Sequence, residues 1–266
     1  MNPLSHEIAT FAREQLVGGC DQMDRNLNGL LDSKGRIAEE VHTIRKLGKS
    51  LRGGFSLFRL RKTSALDIQV IGRLLSGPRD AVSRMNTWNK LAWENDTTAK
   101  AAIVGLLDQQ THSAARRPPP ETIAWCIERV VAARQNLLDL PSEDLPDRLT
   151  HGLKNLRKQV SKRCRNLHHV AEEDFHDARK ALKAYLGALG FLPSEWLKLD
   201  PKMAALSEIL GDENDLATLA GWLVEHGFTK KFVPMLWKKL EESRKHLRDL
   251  AIPDGRALER CLRESS

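Results

Sequence analysis

Two stretches of this 266-residue chain carry the same grouping of bases. Glu39-Glu40-Val41-His42-Thr43-Ile44-Arg45-Lys46-Leu47-Gly48-Lys49 is followed, 134 residues on, by Glu173-Asp174-Phe175-His176-Asp177-Ala178-Arg179-Lys180-Ala181-Leu182-Lys183. Both read E-[ED]-apolar-H-x-x-R-K-x-x-K. Each precedes a second shared segment, L-[SG]-x-x-[RN]-D, which reaches Asp80 in the first copy and Asp215 in the second, 38 and 39 residues after the His. At ~100° per residue, His42, Arg45, Lys46, Lys49, Arg52 and Arg59 share one helical stripe, with Ile44, Leu47, Leu51, Phe55 and Phe58 opposite. His176, Arg179, Lys180 and Lys183 repeat it, opposite Ala178, Ala181, Tyr185 and Leu192. Such stripes suit anionic oxygens: Arg offers a planar two-pronged donor and Lys an adaptable point charge.

The surrounding charge sharpens that reading. Between Glu40 and Asp67 there are seven Lys/Arg and no acid. Between Arg148 and Glu172 there are six more, Lys154, Arg157, Lys158, Lys162, Arg163 and Arg165, again with no acid. Like charges three and four residues apart repel and weaken a helix, and neutral helix faces interleave Glu to relieve this. Here a bound anion is the expected relief, with Lys154, Arg157, Lys158 and Lys162 flanking the two motif stripes. His42 and His176 belong to the binding stripes and read as structural rather than catalytic, their neutral form favoured because neighbouring cations disfavour imidazolium. Asp80 and Asp215 are open to three roles: hydrogen-bond partners of the His, helix N-caps, or ion-pair partners of the bases.

Other chemistry has no support in the residues. His6-Glu7 lacks the second His of H-E-x-x-H, since position 10 is Thr. Gly48-Lys49-Ser50 resembles the end of a P-loop, but position 43 is Thr and no strand precedes it. His168-His169 and the scattered cysteines lack metal-ligand spacing. No catalytic residue, metal site or cofactor is expected. The six Trp sit at apolar helical positions and read as core.

The elements that must position these bases are helices almost throughout. The breakers and apolar periodicity predict helices at about 4–32, 36–62, 66–93, 97–112, 119–139, 144–169, 171–192, 200–226 (broken near Gly211) and 230–250. Pro118-Pro119-Pro120, after Arg116-Arg117, closes a first half over 1–140, and the acidic loop from Pro141 to Asp147 opens a second over 141–266. The fold class is therefore all-α, with two pseudo-symmetric helical bundles forming one domain over 1–266 and their basic faces meeting in a central groove or pore.

Composition agrees. Apolar residues make up 41% and charged residues 29%, and 42 Lys+Arg against 35 Asp+Glu give a net charge of +7. That excess is modest, so its placement matters more than its size. No apolar run reaches a membrane span, and the first ten residues lack a signal-peptide stretch. Cys20, Cys126, Cys164 and Cys261 form no close pair and read as reduced thiols of a cytoplasmic protein. Oligomeric state stays open.

The repeated motif, the L-[SG]-x-x-[RN]-D segments and the basic start Gly152-Leu153-Lys154 resemble the CHAD family, α-helical domains named for their histidines. The likeness covers nearly the whole chain. It implies two pseudo-symmetric helical halves and non-catalytic binding of inorganic polyphosphate at a basic central surface. By that resemblance the partner is polyphosphate, with other polyanions as alternatives, and polyphosphate granules are a location. The chain departs from the family at Ser50, Ala184 and Leu186, where bases are frequent. The E-x-E-x-K signature of the triphosphate tunnel enzymes, often fused to such domains, is absent. Two readings compete: a nucleic-acid binder, which would place stacking aromatics beside the bases, and a phosphoanhydride hydrolase, which would need carboxylates to hold metal near them.

Overall fold

The computed structural model describes residues 5–32, 37–94, 97–113, 117–168, 171–196 and 201–264. Positions 4, 36 and 200, where three helices are predicted to start, lie outside them, as do Arg116 and His169. The described residues form ten α-helices and no strand. These are α1 (His6–Asp32), α2 (Ile37–Leu57), α3 (Ser64–Leu74), α4 (Ser76–Leu91), α5 (Thr97–Ser113), α6 (Pro120–Leu138), α7 (Leu145–Arg165), α8 (Glu172–Leu189), α9 (Pro201–Glu225) and α10 (Pro234–Glu264).

The acids that open each motif are the first turns of α2 (Glu39, Glu40) and α8 (Glu172, Glu173, Asp174). Carboxylates there complement the exposed N–H groups of a helix N-terminus. The same motif therefore starts a helix and loads its later turns with bases.

Four boundaries differ from the sequence reading, each for a local reason. The predicted helix 66–93 is two helices, α3 and α4, meeting at Leu75. Pro78 lacks the N–H that would bond back to Leu74, and a proline fits best in a first turn. Its counterpart region in the second half has no proline, so α9 runs unbroken through Gly211 where a break is predicted. Helix α2 ends at Leu57 rather than 62, closed by bonds from Arg59 N to Ser56 O and from Leu60 N to Phe55 O, with Arg59 left-handed at φ 62°. Helix α10 passes through Pro253 to Glu264 instead of stopping at 250. A proline inside a helix costs ~3 kcal/mol, and the burial of Ala251, Leu258 and Leu262 beyond or beside it, at ~1.5–3 kcal/mol per large apolar side chain, outweighs that.

The core does not divide at residue 140. One large cluster joins α1, α2, α3 and α6 to α7, α8, the start of α9 and the end of α10. A smaller one joins Trp88, Trp93, Ile103 and Leu107 to Leu219, Trp222, Leu223, Leu236 and Leu240. Both mix the two halves. Trp125 and Trp237 are partly buried against these clusters, so five of the six Trp serve packing; the side chain of Trp196 lies outside the description. Cys20, Cys126 and Cys164 are buried and unpaired, and burial pushes their thiols up to about 12, 11 and 12.

Helices α2 and α8 cross at small residues. A Cβ on Gly53 would meet Ala184 O, and Ala188 N at 2.6 Å; one on Gly187 would meet Ser50 Cα at 3.0 Å. These contacts are reciprocal under the 134-residue offset: 53 answers to 187, and 50 to 184. Ser50 and Ala184, where the family frequently carries bases, are thus the small partners that let the two backbones touch.

The crossing sets up opposite outcomes for one substitution. Gly53→Ala gains ~0.5–1 kcal/mol of helix propensity but drives a Cβ into backbone that cannot yield, an overpacking cost of ~1–3 kcal/mol or more. It should lower the denaturation midpoint. Gly18→Ala, exposed in α1 with nothing near its Cβ, should raise it. Denaturant titration of the two variants checks the pair of signs.

The candidate polyanion groove

The sharp turn after α2, the start of α3, the middle of α7 and the middle of α8 enclose an open groove of about 980 Å³. Its bases are Lys49 and Arg52 from α2, Arg59, Arg61 and Lys62 from the turn, Arg163 from α7, and Arg179, Lys180 and Lys183 from α8. Asp177 is the single acid among the lining residues, and its carboxylate accepts from Arg163 Nη1 at 3.0 Å. The bases of both motif copies meet here because α2 and α8 cross at Gly53 and Gly187, which brings Lys49 and its counterpart Lys183 to one place.

Six predicted site residues line the groove: Lys49, Arg52, Arg59, Arg179, Lys180 and Lys183. The other eight lie elsewhere. His42 and Lys46 are exposed on earlier turns of α2. Arg45 is turned toward α4, donating to Ser76 O at 3.0 Å and to Asp80 at 3.1 Å. Nδ1 of His176 donates to Asn214 Oδ1 at 2.8 Å. Arg157 reaches α10, donating to Leu262 O. Lys154, Lys158 and Lys162 are exposed on α7, one position out of step with the lining stripe Gly152, Asn155, Gln159 and Arg163. Of the roles left open for Asp80, the ion pair is the one found, with the motif Arg45. Asp215 lies close enough to Arg179, the counterpart of Arg45, to raise its pKa, and accepts from Asn214 Nδ2 at 3.5 Å.

Three lining bases, Arg61, Lys62 and Arg163, are absent from the predicted set, although all lie inside the acid-free runs. The predicted stripe lies on one ideal helix running through residue 59, and the turn after α2 is where the ideal helix stops. The left-handed backbone at Arg59 instead folds Arg61 and Lys62 back toward α7.

That backbone is itself informative. A left-handed residue at a helix end is usually Gly, and a side-chain-bearing residue there costs ~1–2 kcal/mol. Arg59 lines the groove from this strained backbone state. Arg59→Gly should leave stability unchanged or raise it by up to ~1 kcal/mol, while weakening anion binding severalfold. Paired denaturation and binding measurements test whether the two quantities separate.

The bases of the groove crowd one another in a partly desolvated place. Burial lowers the Arg52 pKa, and Arg73 and Arg61 lower it further. Burial lowers the Lys183 pKa, helped by Arg179 and opposed by Asp215 and Asp212. The Lys183 ammonium lies against α9 at Gly211. With its folded pKa below its unfolded one, Lys183 makes the unfolded chain bind more protons between the two, so stability rises with pH across that alkaline window. Anion affinity should fall over the same window as Lys183 discharges, and binding there should take up protons. Calorimetry in buffers of different ionisation heat reads that uptake, which Lys183→Arg should abolish.

Among the described residues, no group of three or more His, Cys, Asp or Glu is placed to hold a metal, and no helix is long and apolar enough to cross a membrane. A family model described as the CHAD domain matches residues 15–224, from within α1 to the end of α9. The crystal structure of the CHAD domain from the plant Ricinus communis is similar, with a TM-score of 0.66 and 19% identity over 96% of this chain and 91% of that one. At that identity the likeness is one of fold. Among curated protein sequences nothing matches significantly. With both motif copies and the α2–α8 crossing inside the matched span, the chain belongs to the CHAD domain family.

Proposed function

We propose that this chain binds inorganic polyphosphate in the α2–α8 groove and leaves it chemically unchanged. The observation that carries the reading is the convergence of nine Lys/Arg from both repeats on one groove whose single acid is already paired. Desolvated, mutually repelling cations favour a ligand that brings several negative charges at once, and a polymer bridging many bases gains over single phosphates. The expected charge-assisted contacts are ground-state ones, without a metal cofactor. Metal-assisted hydrolysis wants carboxylates around the phosphate, and Asp177 is the one the groove offers. In the cell the reading points to the cytoplasm and to polyphosphate granules.

The direct test is binding of polyphosphate against heparin and RNA at equal phosphate concentration, over a range of salt. The expected result is tighter binding of polyphosphate, unaffected by chelator, with log affinity falling linearly in log salt. Tighter RNA binding would replace polyphosphate as the ligand. Shortening of the polymer on a gel in the presence of Mg²⁺, lost in a Lys49/Lys183 variant, would make the protein an enzyme.

A further inference from the structure

Resting on the polyphosphate reading, we infer that His176 and Asn214 are positioning residues: together they hold the Asp215 carboxylate off Arg179, so that this arginine of the groove is left to the phosphates.

The two motif arginines differ in what claims them. Arg45 and Arg179 are counterparts under the 134-residue offset, and the shared L-[SG]-x-x-[RN]-D segment gives each an Asp, Asp80 on α4 and Asp215 on α9. Arg45 is taken up by its Asp at 3.1 Å and by Ser76 O at 3.0 Å, and it does not line the groove. Arg179 does line it. Among the described residues it forms no ion pair, and its Nε is buried without a hydrogen-bond partner. A guanidinium already taken out of water gives up less hydration when a phosphate arrives.

What occupies Asp215 instead is its neighbour. Helices α8 and α9 run antiparallel, with His176 meeting Asn214 and Lys183 lying against Gly211. Arg179 falls between these contacts, beside the same stretch of α9, where Asp215 is near enough to act on both Arg179 and Lys183. A carboxylate only accepts, so the Asn214 amide turns Nδ2 to Asp215 Oδ1, at 3.5 Å. That leaves Oδ1 for His176, whose Nδ1 donates to it at 2.8 Å. Ring N–H, amide and carboxylate therefore make a chain with one sense, and all three residues are half-buried. In the first half the place of Asn214 in the segment belongs to Arg79. An arginine has no acceptor to offer a histidine, so the same chain cannot form there.

The consequence is competitive. A carboxylate seated on Arg179 would have to leave before that arginine could donate to a phosphate, and its displacement would subtract from affinity. Binding of polyphosphate of one defined length, followed over a range of salt, tests this. N214A should weaken binding about tenfold, the scale of one charge-assisted contact. It should also flatten the slope of log affinity against log salt by ~0.7, the single-strand value for one phosphate. H176A should move both quantities in the same direction. D215N, close in shape but uncharged, should tighten binding. N214A/D215N should bind as D215N does, because without a carboxylate at 215 there is nothing for Asn214 to hold.

Weaker binding by D215N would mean that Asp215 presents Arg179 to the ligand, and would overturn the inference. An N214A loss that persists in N214A/D215N would also overturn it, being the mark of a residue that only supports the fold. So would wild-type affinity and slope in N214A or H176A. No polyphosphate binding by the wild type would remove the underlying reading and the inference with it.

Discussion

Reversing the two counterpart lysines together, K49E/K183E, should weaken polyphosphate binding by roughly 10²- to 10⁴-fold. Each is one charge-assisted contact, worth ~1.5–3 kcal/mol, and ~1.4 kcal/mol is a factor of ten. The effect should exceed that of any other pair of bases, because these two are the counterpart lysines that line the groove at the crossing of the two repeats. Both side chains reach the groove from helix positions whose opposite faces make the core, so helicity should be retained. Isothermal titration with circular dichroism of the same samples checks both statements. Full affinity in the folded variant would move the site elsewhere, for instance to Lys238, Lys239, Arg244 and Lys245. Arg244 is the least available of these, being held by Glu213 and Glu172.

That pairing carries the largest expected effect on stability. Glu213, in the middle of α9, is a buried carboxylate with a side chain 3% exposed. One of its oxygens accepts from Arg244 at 2.9 and 3.1 Å and from Arg248 at 2.7 and 2.9 Å. Arg244 also reaches Glu172 at the start of α8, and Arg248 lies over the Phe175 ring at 5.0 Å. The cluster ties α8, α9 and α10 together. Removing one partner of a buried ionic group leaves the others uncompensated, at ~3–5 kcal/mol. Glu213→Ala should lower the unfolding free energy by that amount in denaturant titrations. Glu241→Ala, which breaks the exposed pair with Lys230, should cost under ~1 kcal/mol. Equal losses for the two would mean that the cluster contributes no more than a surface pair.

The Arg45–Asp80 pair and the Glu213 cluster rest on helix crossings that the order of residues does not state. Asp80 and Asp215 were visible as repeated acids at nearly constant distance from the motif, with roles left open. Which base each would face depends on how α4 and α9 cross α2 and α8. Glu213 itself carried no signal, since an isolated Glu on a helix reads as solvated until its burial is known. The helix breaks behave alike: Gly211 and Pro253 look like terminators locally, and only the packing of α9 and α10 shows them inside continuous helices.

What the amino-acid order determined alone was the local part: helices from apolar periodicity, their starts from Glu39-Glu40 and Glu173-Asp174, the stripe of bases on each, and the repeat that relates them. These depend on 3.6-residue geometry and on neighbours within a turn or two, which the chain states directly. Tertiary structure decided the rest. It turned Arg45 and Arg157 aside into helix–helix ties and left Lys154, Lys158 and Lys162 on an outer face. It brought Arg61, Lys62 and Arg163, from a turn and a distant helix, beside Lys183. The reason lies in the crossing at Gly53 and Gly187 and the left-handed turn at Arg59. Charges separated by more than a hundred residues become neighbours only through such long-range packing, and no period in the sequence encodes which of two equally basic helix faces will look inward.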